Sequence, residues 1–170
     1  IVNTSSAGGS IGIFGFSLEG TAIKSNYIEN FTYGILTWYS SLDLFENTIT
    51  TLNLSNAKCL NGIVSDYNLS NAYESRLGGS NVLTTLNGVC IWLDALDLNI
   101  GDGNNIFQIN DSSGYHLRGY YPTSITDKQN ANYNCFKIGT NFIDESAIRH
   151  LVKWSNGMTD VVYDFGSSSC

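Results

Sequence analysis

The sequence predicts an all-β fold, a right-handed parallel β-helix (a solenoid) of about four to five coils with one short helix near its C-terminal end. Three observations support this fold class. Helical periodicity is nearly absent before residue 143, short apolar runs alternate with stretches of Asn, Gly and Ser, and two short phrases recur in strict alternation. Only Pro122 lacks the backbone N–H that a strand ladder needs.

The first phrase is Gly followed by an apolar or aromatic residue, and the second is Asn-x-apolar-x-x-apolar. The glycines are 22, 28, 26 and 26 residues apart, at Gly12, Gly34, Gly62, Gly88 and Gly114. The asparagines fall between them, at Asn26, Asn47, Asn81 and, in a weaker copy, Asn104. We interpret each interval as one coil, whose extra residues form loops at the turns, as in the stretches 53–61 and 68–80.

Stacked coils place equivalent residues above one another, about 4.8 Å apart. Asn at a tight turn adopts the left-handed conformation and bonds to the Asn of the next coil, while Gly permits close backbone approach. The expected columns are Gly34, Gly62 and Gly88; Asn26, Asn47 and Asn81; and, inside the core, Ile28, Ile49 and Leu83, and Ile35, Ile63 and Val89. An antiparallel sandwich with chance spacing of Gly and Asn remains the alternative.

The last quarter of the chain has a different pattern. Its apolar residues recur at helical spacing, at Ile143, Ala147, Ile148, Leu151 and Trp154. This spacing predicts a helix over residues 142–154 that stops at Asn156-Gly157. The apolar run 161–165 then predicts one final strand.

The composition limits the functions that the chain can have. The net charge is −7 and the eight Lys and Arg residues are scattered, so we expect no binding to nucleic acid. No apolar run approaches the roughly 20 residues of a membrane-spanning helix. A surface rich in amides and hydroxyls is typical of exported β proteins, which predicts a secreted or cell-surface location. Because the chain starts without Met or a basic leader, we expect residues 1–170 to be one segment of a longer chain.

Four cysteines occur in the chain, and their spacings of 31, 45 and 35 residues fit no CxxC zinc site: Cys59, Cys90, Cys135 and Cys170. Two interpretations stay open. The cysteines form one or two disulfides in an oxidising compartment, or they are small apolar residues of the core.

With these features, the sequence resembles the secreted right-handed β-helix repeat proteins, which are related in fold to pectate lyases. The Gly-Ile and Asn-x-Ile phrases carry the resemblance over residues 10–115. Residues 134–141 (NCFKIGTN) and 161–165 (VVYDF) resemble the N-x-W-G-T phrase and the V-D-Y-x-P-like strand with which many bacterial members end. Phe136 or Ile138 stands where Trp is usual, and no Pro follows. The resemblance implies coils over residues 10–133 and a closing section over 134–170.

A pectate-lyase-like site needs a carboxylate cluster for Ca²⁺ and a nearby Arg or Lys as base. The catalytic candidates are Asp94, Asp97, Asp102 and Arg118. The alternative is that these are solvated turn and strand residues. The stretch 97–104 departs from a calcium-binding EF-hand loop in spacing and lacks its distal Glu, so we assign no metal site and no cofactor, with Ca²⁺ as the alternative.

Two groups of aromatic residues are candidates for a ligand-binding surface. Aligned on one outer face, they would stack against sugar rings. They are Tyr33, Trp38 and Tyr39, and Tyr115, Tyr120 and Tyr121. The alternative is that half of them point inward. No nucleophile phrase accompanies His116, which we expect to be a partly exposed strand histidine.

These observations favour a non-catalytic extracellular β-helix module that acts as a structural, adhesive or carbohydrate-binding surface. The rival hypothesis is part of a polysaccharide lyase or glycoside hydrolase whose active site lies partly outside this chain. Expected partners are a polysaccharide or a cell-surface protein. Further coils or another protein should cover the N-terminal end of the stack, because residues 1–10 are too few and too small to cover a coil.

Overall fold

The computed structural model describes residues 1–4, 10–18, 20–38, 42–50, 61–66, 75–77, 80–85, 89–94, 98–99, 103–121, 129–154 and 163–165. Within these residues the chain forms eighteen strands and one short 3-10 turn, Glu145–Ala147, which confirms the predicted all-β class. The strands are β1 (Ile11–Phe16), β2 (Thr21–Lys24), β3 (Tyr27–Glu29), β4 (Tyr33–Trp38), β5 (Leu42–Phe45), β6 (Thr48–Thr50), β7 (Asn61–Asp66), β8 (Ser75–Leu77), β9 (Val82–Thr85), β10 (Val89–Asp94), β11 (Leu98–Asn99), β12 (Ile106–Ile109), β13 (Tyr115–Tyr121), β14 (Gln129–Asn130), β15 (Cys135–Ile138), β16 (Asn141–Phe142), β17 (His150–Trp154) and β18 (Tyr163–Asp164).

Parallel pairing joins strands that lie about one repeat apart in the chain. Sheet one contains β1, β4, β7, β10, β13 and β17 in that order, and all of its pairs are parallel. Sheet two contains β2, β5, β8 and β11, again in parallel. Sheet three contains β3, β6, β9, β12 and β15 in parallel, and β16 adds to β15 in antiparallel orientation. The described strands thus lack the succession of antiparallel hairpins that a sandwich requires.

Five asparagines, which we call the asparagine ladder, each lie directly before a strand of sheet three, namely β3, β6, β9, β12 and β15. They are Asn26, Asn47, Asn81, Asn105 and Asn134. Each side-chain Nδ2 donates to the Oδ1 of the next asparagine, at 3.1, 3.1, 2.9 and 2.9 Å along the ladder. The backbone N–H of each of the first four donates to that same oxygen. The predicted column of Asn26, Asn47 and Asn81 is therefore confirmed.

The ladder also corrects the sequence analysis in two respects. Its fourth member is Asn105, not Asn104. The left-handed conformation belongs to the exposed residue before each asparagine, with φ of 56°, 53°, 67°, 59° and 60° at Ser25, Glu46, Ser80, Asn104 and Tyr133. This preceding residue forms the turn, so the asparagine side chain can point along the stack toward the next asparagine. Because Asn favours that conformation, Asn104 resembles a ladder residue in sequence.

The central core column runs through sheet three. Strand register places Ile28, Ile49, Leu83, Phe107 and Phe136 side by side on successive strands. Each of these side chains is at most 1% exposed, and all belong to one apolar cluster. This confirms that Ile28, Ile49 and Leu83 share one core. The rings of Phe107 and Phe136 stack with their centres 5.2 Å apart.

The glycine column of sheet one agrees with the prediction over its first members only. The register places Gly12 beside Gly34 and Gly34 beside Gly62, since Ile13 pairs with Ile35 and Ile35 with Ile63. A Cβ on Gly12 would lie 2.6 Å from Cγ2 of Ile28, so glycine permits close approach to sheet three.

The next strand breaks the predicted register by two residues. Val89 pairs with Asn61 and Ile91 with Ile63, so Cys90 lies beside Gly62, and Ile91 takes the place predicted for Val89. Gly88 lies outside the described residues. A shift of two residues keeps the same faces inward, so the alternation of apolar residues in 89–93 cannot distinguish the two registers.

The predicted helix over residues 142–154 is wrong. Residues Glu145–Ala147 form a 3-10 turn, and His150–Trp154 form β17, which pairs in parallel with β13. The open edge of β13 provides hydrogen-bond partners that a helix would leave unused, as when Arg149 O accepts from the His116 N–H at 2.8 Å. Short apolar runs fit the period of a helix as well as that of a strand, so the pairing with β13 decides that this segment forms a strand. The final strand is present at Tyr163–Asp164, paired with β14.

Both interpretations of the cysteines apply, each to a different residue. Cys90 is free, fully buried and part of the apolar core. Burial raises the pKa of its thiol to about 12, which keeps the thiol protonated. Cys135 is disulfide-bonded.

At the N-terminal end of the stack, β1, β2 and β3 are the edge strands of the three sheets. Residues 1–3 extend sheet three beyond β3, because Asn3 N–H donates to Glu29 O and Glu29 N–H donates to Ile1 O, both at 2.9 Å. The first residues therefore cover one edge, which the sequence analysis did not expect. On β1, by contrast, Phe14 and Phe16 are 51% and 56% exposed.

We expect Asn81→Ala to lower the free energy of unfolding by about 3 kcal/mol, because buried backbone and amide groups lose their partners. The substitution leaves the Asn47 amide without its acceptor and the Leu44 carbonyl without its donor. Urea unfolding measures the change. Asn26→Ala, at the half-buried end of the ladder, is the matched control and should cost about 1 kcal/mol. Equal losses for the two variants would contradict the central role of the buried amides.

Candidate functional site

A cavity of about 540 Å³, which we call the arginine cavity, opens near the C-terminal end of the stack. It lies between the start of β13 and the segment that connects β16 to β17. The lining combines hydroxyls, apolar side chains and one cation, from Ser112, Tyr115, Ile138, Ser146, Ala147, Ile148, Arg149 and His150. Tyr115, from the second predicted aromatic group, is among the described residues that line it.

Arg149 is held in this cavity from both its backbone and its side chain. Its N–H donates to Nδ1 of His116 at 3.0 Å. Its Nε donates to the carbonyl oxygen of Gly114 at 3.1 Å, and its guanidinium carbon lies 5.2 Å from the centre of the Tyr115 ring. A hydrogen bond and a cation–π contact thus fix the guanidinium, which reduces the entropy that it would lose on binding a ligand.

An adjoining cavity of about 560 Å³, the acidic cavity, has the opposite charge. Its lining residues are Asp144, Glu145, Ser146, Ile148, His150 and Phe165, so the two cavities share Ser146, Ile148 and His150. The His150 ring lies 5.3 Å from the Phe165 ring, and its Nδ1 is 3.2 Å from the carbonyl oxygen of Ile148. Across the described part of the chain, no group of three or more His, Cys, Asp or Glu could hold a metal ion.

The catalytic candidates from the sequence lie in sheet one or outside the described residues. Asp94 ends β10 and pairs with Asp66 on one side and Tyr120 on the other. Arg118 pairs with Trp92, two residues from that level. Asp97 and Asp102 lie outside the described residues. The register thus brings a second acidic residue, Asp66, beside Asp94, which the sequence analysis did not name.

The predicted aromatic residues do not share one level of the stack. Tyr33 and Tyr115 occupy equivalent positions three strands apart in sheet one, or about 14 Å at the usual strand spacing. Trp38 pairs with Phe16, and Tyr121 pairs with Trp154. Tyr120 pairs with Asp94, as above, and Tyr39 lies outside the described residues.

His116 is fully buried, contrary to the expectation of a partly exposed strand histidine. Because its Nδ1 accepts the Arg149 N–H, its Nε2 carries the proton and donates to the carbonyl oxygen of Lys137 at 2.9 Å. The ring meets Phe136 edge-on, with centres 5.4 Å apart. Burial, together with the charge of Arg149, lowers the pKa of His116 from 6.5 to about 4. The neutral imidazole therefore links β13, β15 and the arginine cavity.

Sequence reasoning missed three residues that line the arginine cavity, namely Arg149, Ser112 and Ser146. The Gly114-Tyr115 phrase marked the right strand, but the partner of Tyr115 follows only from the pairing of β13 with β17. That pairing was hidden by the predicted helix over residues 142–154, which includes Arg149. No local signal in the sequence distinguishes the two assignments.

Acidification should destabilise the fold through His116. Its pKa is about 4 in the folded state and 6.5 in the unfolded chain, so the folded state binds fewer protons between these values. The free energy of unfolding should therefore fall as the pH decreases from about 6.5 to 4, by about 3 kcal/mol. Urea unfolding at several pH values measures it, with His116→Gln as the reference. Parallel pH profiles for the two proteins would refute this role.

No helix in the described part of the chain is long and apolar enough to cross a membrane. Compared with models of protein families, with curated proteins and with solved structures, the chain matches none of them.

Proposed function

We propose that this chain forms a right-handed parallel β-helix and serves as a non-catalytic extracellular module that binds carbohydrate. The observation that carries the functional part is the arginine cavity, in which an aromatic ring, two serine hydroxyls and apolar side chains surround one fixed cation. Sugars bind to such sites because their C–H faces contact aromatic and aliphatic groups while their hydroxyls need polar partners.

Two observations support the β-helix. The strands of sheet one lie 22 to 28 residues apart along its first registers, and those of sheet three follow the same order. The asparagine ladder bonds each level to the next. Six strands in sheet one correspond to more levels than the four to five coils predicted from the sequence. The right-handed sense follows from the general preference of parallel crossover connections.

Secretion or display at a cell surface is supported by the disulfide of Cys135, because disulfides persist in oxidising compartments. The low charged fraction of 14% is in keeping with a surface that relies on amides and hydroxyls. An adhesive role fits a rigid stack, since a preformed surface loses little entropy on binding. The exposed Phe14 and Phe16 on the edge strand β1 support contact with further coils or another protein at that end.

A panel of immobilised polysaccharides tests the binding function on the full chain. We expect at least one of them to bind, and Tyr115→Ala to weaken that binding about fivefold, because one aromatic contact contributes roughly 1 kcal/mol. Tyr27→Ala, which removes an exposed tyrosine of another sheet, is the control and should leave binding unchanged. Absence of binding to every member, or equal effects of the two substitutions, would contradict the proposal.

A second candidate function is part of a polysaccharide lyase or glycoside hydrolase. One observation favours it: Asp66 and Asp94 are paired on neighbouring strands, with Arg118 two residues from their level on the next strand. Aspartate and arginine at neighbouring register positions are the residue types that such chemistry uses.

Incubation of the full chain with the same polysaccharides, with and without Ca²⁺, separates the two functions. For the non-catalytic module we expect no new reducing ends and no unsaturated products. Cleavage of a polysaccharide would establish the enzyme instead if it is abolished by Asp94→Ala and by Arg118→Ala. The control Asp43→Ala, in sheet two, should then leave the cleavage intact.

A further inference from the structure

We infer that the arginine cavity recognises a single acidic sugar, a uronic acid whose carboxylate binds the Arg149 guanidinium. This inference rests on the proposed carbohydrate-binding function and adds the class of sugar to it. Neutral sugars need hydroxyl partners and an apolar face, which many surfaces offer. A guanidinium fixed beside a ring adds a requirement for negative charge.

Arg149 leaves most of its hydrogen-bond donors unused within the described part of the chain. Its Nε donates to Gly114 O, and no other hydrogen bond of its side chain to a described residue exists. The two terminal nitrogens keep four N–H donors in a rigid, planar arrangement. A carboxylate accepts two of them in parallel, the strongest geometry that a guanidinium offers.

Arg149 also carries a positive charge that the carboxylate of a ligand would balance. No described carboxylate forms an ion pair with Arg149. Asp111, which precedes β13 in the chain, already accepts two hydrogen bonds from Ser113, through its N–H at 2.8 Å and its Oγ at 2.5 Å. Asp144 and Glu145 line the acidic cavity and are absent from the lining of the arginine cavity. The cation is therefore available to a ligand.

The rest of the lining suits a sugar ring better than a bare inorganic anion. Ser112 and Ser146 supply hydroxyls that both donate and accept, and Ile138 and Ile148 supply an apolar wall. A volume of about 540 Å³ exceeds what an inorganic anion fills and lies in the range of small-molecule sites.

The overall charge limits the ligand to one acidic residue. At a net charge of −7, the chain repels a long polyanion. Salt screens the interaction between charges that lie more than about 8 Å apart, so a small ligand is affected mainly by the charges next to it. A single carboxylate next to Arg149 gains the local attraction without the long-range repulsion. We therefore assign the site to one uronic acid, either free or at the end of an otherwise neutral glycan.

Titration of the full chain with sodium glucuronate, followed by NMR, tests the inference. Glucuronate should bind at least tenfold more tightly than glucose, because the carboxylate completes the guanidinium pair. Arg149→Gln should weaken glucuronate binding about tenfold and so remove most of the preference for glucuronate over glucose. Lys24→Gln removes the same charge from β2 and should change glucuronate binding less than about twofold.

Further arms separate a sugar site from other outcomes. Inorganic phosphate should bind more weakly than glucuronate, and Ser146→Ala, which keeps the guanidinium, should weaken glucuronate binding about threefold. Thermal unfolding of each variant shows whether it folds, and Ser146→Ala serves as the test if Arg149→Gln does not fold. A methyl glucuronide should bind like free glucuronate if the site accepts glycan ends.

The outcomes that would overturn the inference are distinct from those that would overturn the function. If polysaccharides bind but glucuronate and glucose bind equally, or Arg149→Gln equals Lys24→Gln, the acidic-sugar site is wrong and carbohydrate binding stands. Phosphate binding as tight as glucuronate binding would also overturn the inference. If no saccharide binds at all, both the inference and the proposed function fall.

Discussion

The rest of the structure depends on the hydrogen bonds between the side chains of successive ladder asparagines. A parallel stack of short strands has little to fix its register, because a shift of two residues keeps the same faces inward. An amide that bonds to the next amide removes this freedom at one corner. In each inner asparagine of the ladder, Oδ1 accepts hydrogen bonds from the backbone N–H and the side-chain Nδ2 of the preceding ladder asparagine. Its own Nδ2 donates to Oδ1 of the following ladder asparagine. The amide is buried at little cost because its groups are paired.

The ladder also explains which parts of the fold could be predicted. Three ladder asparagines could be predicted from the sequence because each is followed, two positions later, by an apolar residue of the core column. They are Asn26, Asn47 and Asn81. In sheet one the predicted columns contained only glycine and apolar residues, so Val89 was assigned to a column that Ile91 occupies. Apolar periodicity shows which face of a strand points inward, but a specific hydrogen bond is needed to show which residues of neighbouring strands lie side by side.

The candidate site was predictable only in fragments. Tyr115 was named as an aromatic contact, but the cation that it contacts belongs to a segment predicted as helix. Its position depends on β17 joining β13, a contact between residues more than 30 apart in the chain. Composition and spacing carry no information about such pairs. The buried His116 was likewise unpredictable, because its burial results from packing against Phe136.

The ladder has a direction. From Asn26 to Asn105, every rung donates one amide hydrogen to the next asparagine toward the C-terminal end. Asn47 and Asn81 donate their other amide hydrogen to the carbonyl oxygens of Ile23 and Leu44. At the C-terminal end, Asn134 donates instead to the carbonyl oxygens of Ala131 and Asn132. At the other end, the Oδ1 of Asn26 accepts no hydrogen bond from a described residue. Aligned amides polarise one another, so the row behaves as a small electric dipole with its terminal acceptor at Asn26. The stack is therefore chemically one-sided: one end is closed by its own turn, and the other offers an acceptor that only a donor group can complete.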